Sequence, residues 1–209
     1  CGRGSGNVPY CAMTTISESP VRAGVIWTGT DDGKVQVTEN HGATWTDATP
    51  MLASAGARPD LYVSRVFASP HQAGTAFIAK TGFRADDFTP YLFKTTDYGK
   101  TWTSLGSGLP KSPLNVVVQD RKNANLLIIG NDIGVYVSID GGQRWSRLKA
   151  NLPTVAVHDL TIHPRENDLV LGTYGRAIWI GDIVPLQELS AEVLNKNAHL
   201  FDVEPRARY

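Results

Sequence analysis

The chain has 209 residues, 42% of them hydrophobic and 19% charged, with 20 Lys plus Arg balancing 20 Asp plus Glu. That composition buries a real core and excludes a disordered chain, while the charge balance leaves no basic field to collect nucleic acid or an anionic membrane. No apolar run approaches the roughly 20 residues that would span a bilayer.

Residues 1–13 read as a Gly-rich lead-in or the end of a preceding repeat. The N-terminus does not read as a signal peptide, and a chain opening on Cys1 rather than Met is expected to be a fragment of a longer protein. A lipid-modified Cys1 is a second reading. An oxidising compartment would permit a Cys1–Cys11 disulfide, although two cysteines alone fix nothing.

From Thr14 to Glu18 the chain reads as a short strand ended by Ser19-Pro20. Gly24 to Thr30, a turn at Asp31-Asp32-Gly33, Lys34 to Glu39 and Trp45 to Ala48 follow, giving four short strands joined by tight turns. The cycle restarts at Ser64 to Ser69, with Thr75 to Thr81, a longer loop at Gly82 to Pro90, Tyr91 to Thr96 and Trp102 to Leu105. A third cycle runs Asn115 to Gln119, Leu126 to Gly130, a turn at Asn131-Asp132-Ile133-Gly134, Val135 to Ile139 and Trp145 to Leu148. The fourth has Asp159 to Ile162, Asp168 to Gly172 and Arg176 to Ile180. Four strands every 40 to 50 residues is the signature of propeller blades, here 14–50, 63–109, 114–152 and 157–183. Beyond them, Leu186, Leu189, Val193 and Leu194 fall at helical spacing, predicting a short amphipathic helix over 184–197 packed on the blades. Leu200 to Val203 could return as the outer strand of the fourth blade.

The third turn of the first three cycles carries one motif: Thr38-Glu39-Asn40-His41-Gly42-Ala43-Thr44-Trp45, Thr95-Thr96-Asp97-Tyr98-Gly99-Lys100-Thr101-Trp102 and Ser138-Ile139-Asp140-Gly141-Gly142-Gln143-Arg144-Trp145. All fit Ser/Thr-x-Asp/Asn-x-Gly-x-x-Trp. An Asp or Asn binds neighbouring N–H groups, the Gly supplies φ > 0, and the Trp begins the return strand with a large apolar side chain. The motif resembles the Asp-box, or bacterial neuraminidase repeat, of sialidases, xyloglucan-hydrolase-type propellers and sortilin-type propellers. That resemblance implies an all-β propeller in which the box joins the third and fourth strands of a blade, usually far from the active site. Asn40 and Arg144 depart from the pattern, so those two turns are expected to be less tightly tied. Ile16 to Pro20, Trp27 to Gly33, Tyr91 to Trp102 and Gly172 to Arg176 further resemble a large bacterial family labelled glycosyl hydrolase or sortilin-like. The resemblance covers nearly the whole chain and leaves the activity unsettled. Such families commonly close six or seven blades, which implies that four blades here are part of a larger ring. The missing blades would come from the parent chain, a partner fragment or a second copy, covering flanks such as Val25 to Trp27 and Ile178 to Ile180.

In a four-stranded blade the second turns and the blade-to-blade connections share the rim opposite the boxes. The second turns contribute Asp31, Asp32, Arg84, Asp86, Asp87, Asp132, Tyr174 and Arg176, and the connections add His158, with Asp60, Arg65 and Lys111 nearby. Asp31, Asp32 and Asp132 also suit plain turn caps. The loop bearing Arg84, Asp86 and Asp87 is longer than a hairpin needs, so Asp86 and Asp87 are the candidate catalytic carboxylates should the chain hydrolyse glycosides. Arg65, Arg84 and Arg176 with Tyr174 could make a sialidase-like cluster, but no Arg-Ile-Pro opening is visible. His41, His71, His158, His163 and His199 lack metal-ligand spacing, there is no phosphate loop or nucleophile elbow, and no metal or cofactor is expected. The five tryptophans are expected between blades. The reading is an extracytoplasmic binding segment that engages a protein or glycan through this rim, with a glycoside hydrolase as the rival.

Overall fold

A computed structural model of the protein describes residues 11–149 and 151–201. The first sheet orders β1 (Met13–Glu18), β2 (Ile26–Thr30), β3 (Val35–Thr38) and β4 (Thr46–Asp47), all antiparallel neighbours. After α1 (Thr49–Ser54) come β5 (Tyr62–Ala68), β6 (Ala76–Gly82), β7 (Asp87–Thr95) and β8 (Thr103–Ser104), and then β9 (Leu114–Gln119), β10 (Leu127–Asn131), β11 (Gly134–Ser138) and β12 (Ser146–Arg147). A fourth sheet holds β13 (Val157–Ile162), β14 (Asp168–Thr173) and β15 (Ile178–Asp182). These are four blades of a β-propeller, each a meander whose first strand is innermost.

Three departures from the sequence reading have local causes. The helix expected over 184–197 is two pieces, α2 (Val184–Glu188) and α3 (Ala191–Leu194). Leu189 between them is extended, and the Ser190 side chain caps the second by accepting the Val193 N–H at 3.2 Å. Helix α1 fills a stretch to which the sequence reading assigned no element. Pro50 sits in its first turn, where its missing N–H costs nothing, and Leu52 anchors it in the core. The fourth blade has three strands among the described residues. Leu200 and Phe201 are irregular, and residues 202 and 203 of the proposed fourth strand lie outside the described residues, as does Cys1.

Blades hold together through apolar faces, because alternate residues of each strand point to opposite sides. Val25, Trp27, Val37, Val63, Ile78 and Phe93 fill the first interface, Phe77, Leu92, Leu114 and Ile129 the second, and Val118, Ile128, Leu160 and Leu171 the third. Val25 and Trp27 are therefore fully buried against the second blade rather than exposed on an open flank; Ile16, on the other face of the first blade, is the exposed residue. Ile178 and Ile180 are 69% and 68% exposed, as expected of a flank without a neighbour.

The three motif turns share one hydrogen-bond pattern. Thr95 Oγ1 donates to Asp97 Oδ1 at 2.8 Å and accepts the Gly99 N–H at 3.0 Å, while Asp97 Oδ1 accepts the Thr101 N–H at 2.9 Å. Thr38 and Asn40 repeat this with Gly42 and Thr44, and Ser138 and Asp140 with Gly142 and Arg144. The two departures loosen nothing. Asn40 Nδ2 donates to Thr44 Oγ1 at 2.9 Å, and Arg144 Nε donates to Asp140 Oδ2 at 2.8 Å, each standing in for the Thr101 hydroxyl that donates to Asp97 Oδ2 at 2.7 Å. Burial raises the Asp140 pKa, but the bonds from Arg144 and Ser138 outweigh it and bring it down to about 2.

The second and third of these turns also lock onto the blade before them. A Cβ on Gly99 (φ +83°) would strike the Ala48 side chain at 2.9 Å, and one on Gly142 would strike Leu105 at 2.8 Å. Ala48 and Leu105 both stand three residues after a motif Trp. Trp102 meets Trp27 edge to face at 5.9 Å, and Trp145 Nε1 donates to the Leu105 carbonyl at 2.9 Å. In the first blade, the same Cβ on Gly42 would meet only its own Trp45, which is 42% exposed where Trp102 is 9% exposed.

Candidate functional site

The rim opposite the motif turns carries a cleft of about 580 Å³ that receives residues from all four blades. Asp31 comes from the β2–β3 turn and Asp60 to Tyr62 from the connection into the second blade. Thr81 to Ala85 come from the β6–β7 loop, Pro113, Asn115 and Asp132 from the third blade, and His158 and Tyr174 from the fourth. Of the rim residues named from sequence, Asp31, Asp60, Arg84, Asp132, His158 and Tyr174 line it together.

The others stand elsewhere. Asp32 turns under its own hairpin, taking the Thr30 hydroxyl and the Cys11 thiol; burial raises its pKa, but these bonds lower it on balance. Asp86 ends the 3-10 turn Phe83–Ala85 in the left-handed region at φ 54°, and does not line the cleft. Asp87 accepts from the Thr89 N–H at 3.0 Å, the Tyr91 hydroxyl at 2.9 Å and Arg58 at 3.1 Å. Burial pushes its pKa up, yet these donors win and hold it at about 2. Arg176 offers its carbonyl to Trp179 Nε1 at 2.8 Å. Arg65 is ion-paired with Asp159 and faces a separate cavity of about 360 Å³ beside Ile16 and Ser64, so the three arginines do not converge.

The cleft has two stacked pairs about a polar centre. The His158 and Tyr174 rings lie 5.3 Å apart and 25° from parallel, and Tyr174 is 75% exposed. Across the third blade, the Arg84 guanidinium lies 5.8 Å from the Tyr62 ring centroid, with Phe83 62% exposed beside it. Between them Asn115 Nδ2 donates to Asp132 Oδ1 at 2.9 Å and to the Val157 carbonyl at 3.2 Å. Asp31 Oδ1 accepts the N–H groups of Cys11 and Ala12 at 2.8 and 2.9 Å, which leaves its second oxygen without a protein donor among the described residues.

Lys80 sets the floor of one wall. It is fully buried, and its Nζ donates to the carbonyls of Arg58 at 2.6 Å, Gly33 at 3.1 Å and Pro59 at 3.3 Å. Three donors meet three acceptors, clasping the first blade's second turn to the connection that carries Asp60, Leu61 and Tyr62. Gly33 (φ +92°) belongs to the same clasp, since a Cβ there would meet the Pro59 carbonyl oxygen at 2.0 Å. Burial pushes the Lys80 pKa down to about 8, against the charges of Asp60 and Asp32. Above the clasp, Arg58 bridges Asp60 at 2.9 Å and Asp87, and its hydrogen bonds lower the Asp60 pKa. Lys80 and Asn115 escaped the sequence reading. Their signal was a polar residue inside a largely apolar strand, Ala76–Gly82 and Leu114–Gln119 respectively.

No family model and no curated protein matches the sequence. Solved structures do match in fold. A GH74 xyloglucanase from Xanthomonas campestris superposes with a TM-score of 0.62 at 14% identity, over 80% of this chain and 29% of its own. A GH74 enzyme from Niastella koreensis gives 0.60 at 17% identity over 78% and 26%. YCF48 bound to D1 peptide gives 0.57 at 16% identity over 84% and 53%. At these identities the likeness shows a propeller fold, and this chain spans between about a quarter and a half of those chains. Among the described residues no helix is long and apolar enough to cross a membrane, and no group of three or more His, Cys, Asp or Glu could hold a metal ion.

Proposed function

We propose that the chain is a non-catalytic, extracytoplasmic propeller segment that binds a protein or glycan ligand in the cleft opposite its Asp-box turns. The carrying observation is the cleft itself, built from four successive blades and lined by exposed aromatic faces, an arginine and carboxylates. A glycosidase needs a carboxylic acid that stays protonated near neutrality. The shifted carboxylates of this rim, Asp32, Asp60 and Asp87, all move the other way. The GH74 neighbours favour a hydrolase and the peptide-bound YCF48 a peptide binder, so both are tested together. Glycan and peptide arrays run beside polysaccharide hydrolysis assays should give cleft-dependent binding, weakened by Arg84→Ala, without release of reducing sugar. Release that vanishes in Asp132→Ala, Asp86→Ala or Asp87→Ala would make the chain a hydrolase.

The same ring requires further blades. Gly42 and Trp45 present the surface that Gly99 with Trp102, and Gly142 with Trp145, bury against a preceding blade. A further blade of the same repeat therefore belongs on the first blade, bringing a small or apolar residue three positions after its own tryptophan to meet Gly42.

A further inference from the structure

The cleft offers hydrogen-bonding groups of both kinds around open aromatic faces, and that combination selects a ligand class. His158 stacks on one face of Tyr174, and the residue is 75% exposed, which leaves the opposite face to a ligand. Exposed aromatic rings gathered in a concave site mark a place where flat, partly apolar surfaces are taken from water. Arg84 rests on Tyr62 with no carboxylate partner among the described residues, so its N–H groups remain to donate. Asp132 receives Asn115 on one oxygen and Asp31 two N–H groups on one oxygen, and each keeps an oxygen that can accept.

A ligand seated here meets donors and acceptors together, with charges of both signs. An anionic ligand drawn to Arg84 would face Asp31 and Asp132, and a cationic one drawn to the aspartates would face Arg84. A hydroxyl group suffers neither penalty, because it donates to a carboxylate and accepts from a guanidinium. Pyranose rings carry such hydroxyls at their edges and C–H faces that pack on aromatic rings.

Resting on the reading that this cleft is a binding site, we infer that its ligand is a neutral oligosaccharide, with one sugar ring stacked on the open face of Tyr174 and hydroxyls shared between Asp132 and Arg84. The volume of about 580 Å³ lies within the roughly 300–1,000 Å³ usual for ligand pockets. Tyr174 supplies the apolar contact, Arg84 and Asp132 the orientation.

The test is an array of neutral gluco-, xylo-, manno- and galacto-oligosaccharides beside oligogalacturonates and acidic and basic peptides, followed by calorimetric titration of the best neutral probe at low and high salt. Neutral probes should bind with little salt dependence. Tyr174→Ala should weaken binding roughly tenfold or more, whereas Tyr174→Phe keeps the ring and stays within about threefold of wild type. Asp132→Asn should weaken binding while leaving the melting curve in place, and unchanged melting of Tyr174→Ala shows that its loss is not unfolding. Binding confined to oligogalacturonates or peptides, lost in Tyr174→Ala, would overturn the neutral-glycan assignment and leave the cleft as the site. Neutral binding indifferent to Tyr174→Ala would place the glycan elsewhere and overturn the inference. Binding of no probe would overturn both the inference and the proposed function.

Discussion

Replacing Lys80 with Met removes a buried ammonium that supports the cleft wall, and its effect should depend on pH in a defined direction. The folded pKa is about 8 against an ordinary 10.5, a difference of about 2.5 units. At about 1.36 kcal/mol per unit, burying the charged form costs about 3 kcal/mol relative to the neutral form. Below pH 8 the amine is charged in both folded and unfolded chains, and that cost stands in full. Between pH 8 and 10.5 it is neutral when folded but charged when unfolded, so the unfolded chain binds more protons and stability rises with pH. Above 10.5 it is neutral in both states and the gain is complete. The Met variant lacks this group and also strands the carbonyls of Gly33, Arg58 and Pro59, which should cost it on the order of 1–3 kcal/mol for each one left dry. Urea unfolding of both proteins at pH 7, 8, 9 and 10 gives the comparison. The stability of wild type over Lys80→Met should grow by about 2.5 kcal/mol across the series, most of the full gain. A difference that stays constant would show that the three carbonyls offset burial fully and that no shifted proton exists.

Trp102→Ala should cost about 3–5 kcal/mol by emptying the interface with Trp27, while Trp45→Ala, at an exposed and unpartnered position, should cost less than about 1 kcal/mol; equal costs in thermal melts would refute the blade-docking account. Asp97→Asn should be nearly neutral, because Asn40 already makes the same bonds, whereas Asp97→Ala should lose about 1–2 kcal/mol. Light scattering of the isolated chain should show self-association through its uncovered blade flanks, reduced by Ile178→Ser with Ile180→Ser; a clean monomer of 22.7 kDa would show that four blades suffice.

The blade pattern was legible because the period of two and the turn residues are local properties. Asp31, Asp97 and Asp140 announce hairpins wherever they stand, and the rim followed once the third turn was fixed. What was not legible depends on partners distant in sequence. Asp87 looked like a catalytic candidate until Arg58, 29 residues away, was seen beside it. Lys80 passed unremarked inside the Thr75 to Thr81 strand, and its role rests on carbonyls 21 to 47 residues earlier. Helix α1 is two turns held by Leu52 in the core, too short for periodicity to reveal. Trp45 and Trp102 occupy the same motif position, and only the presence of a preceding blade separates them.

The central claim is that function sits on the rim away from the three motif turns. Hydrogen exchange, measured with and without the oligosaccharide that binds best on the array, addresses it directly. The account predicts new protection at residues 81–85, 113–115, 131–134 and 172–175, with the turns at 38–45, 95–102 and 138–145 unchanged. Protection confined to those three turns would put the ligand on the opposite face and contradict it.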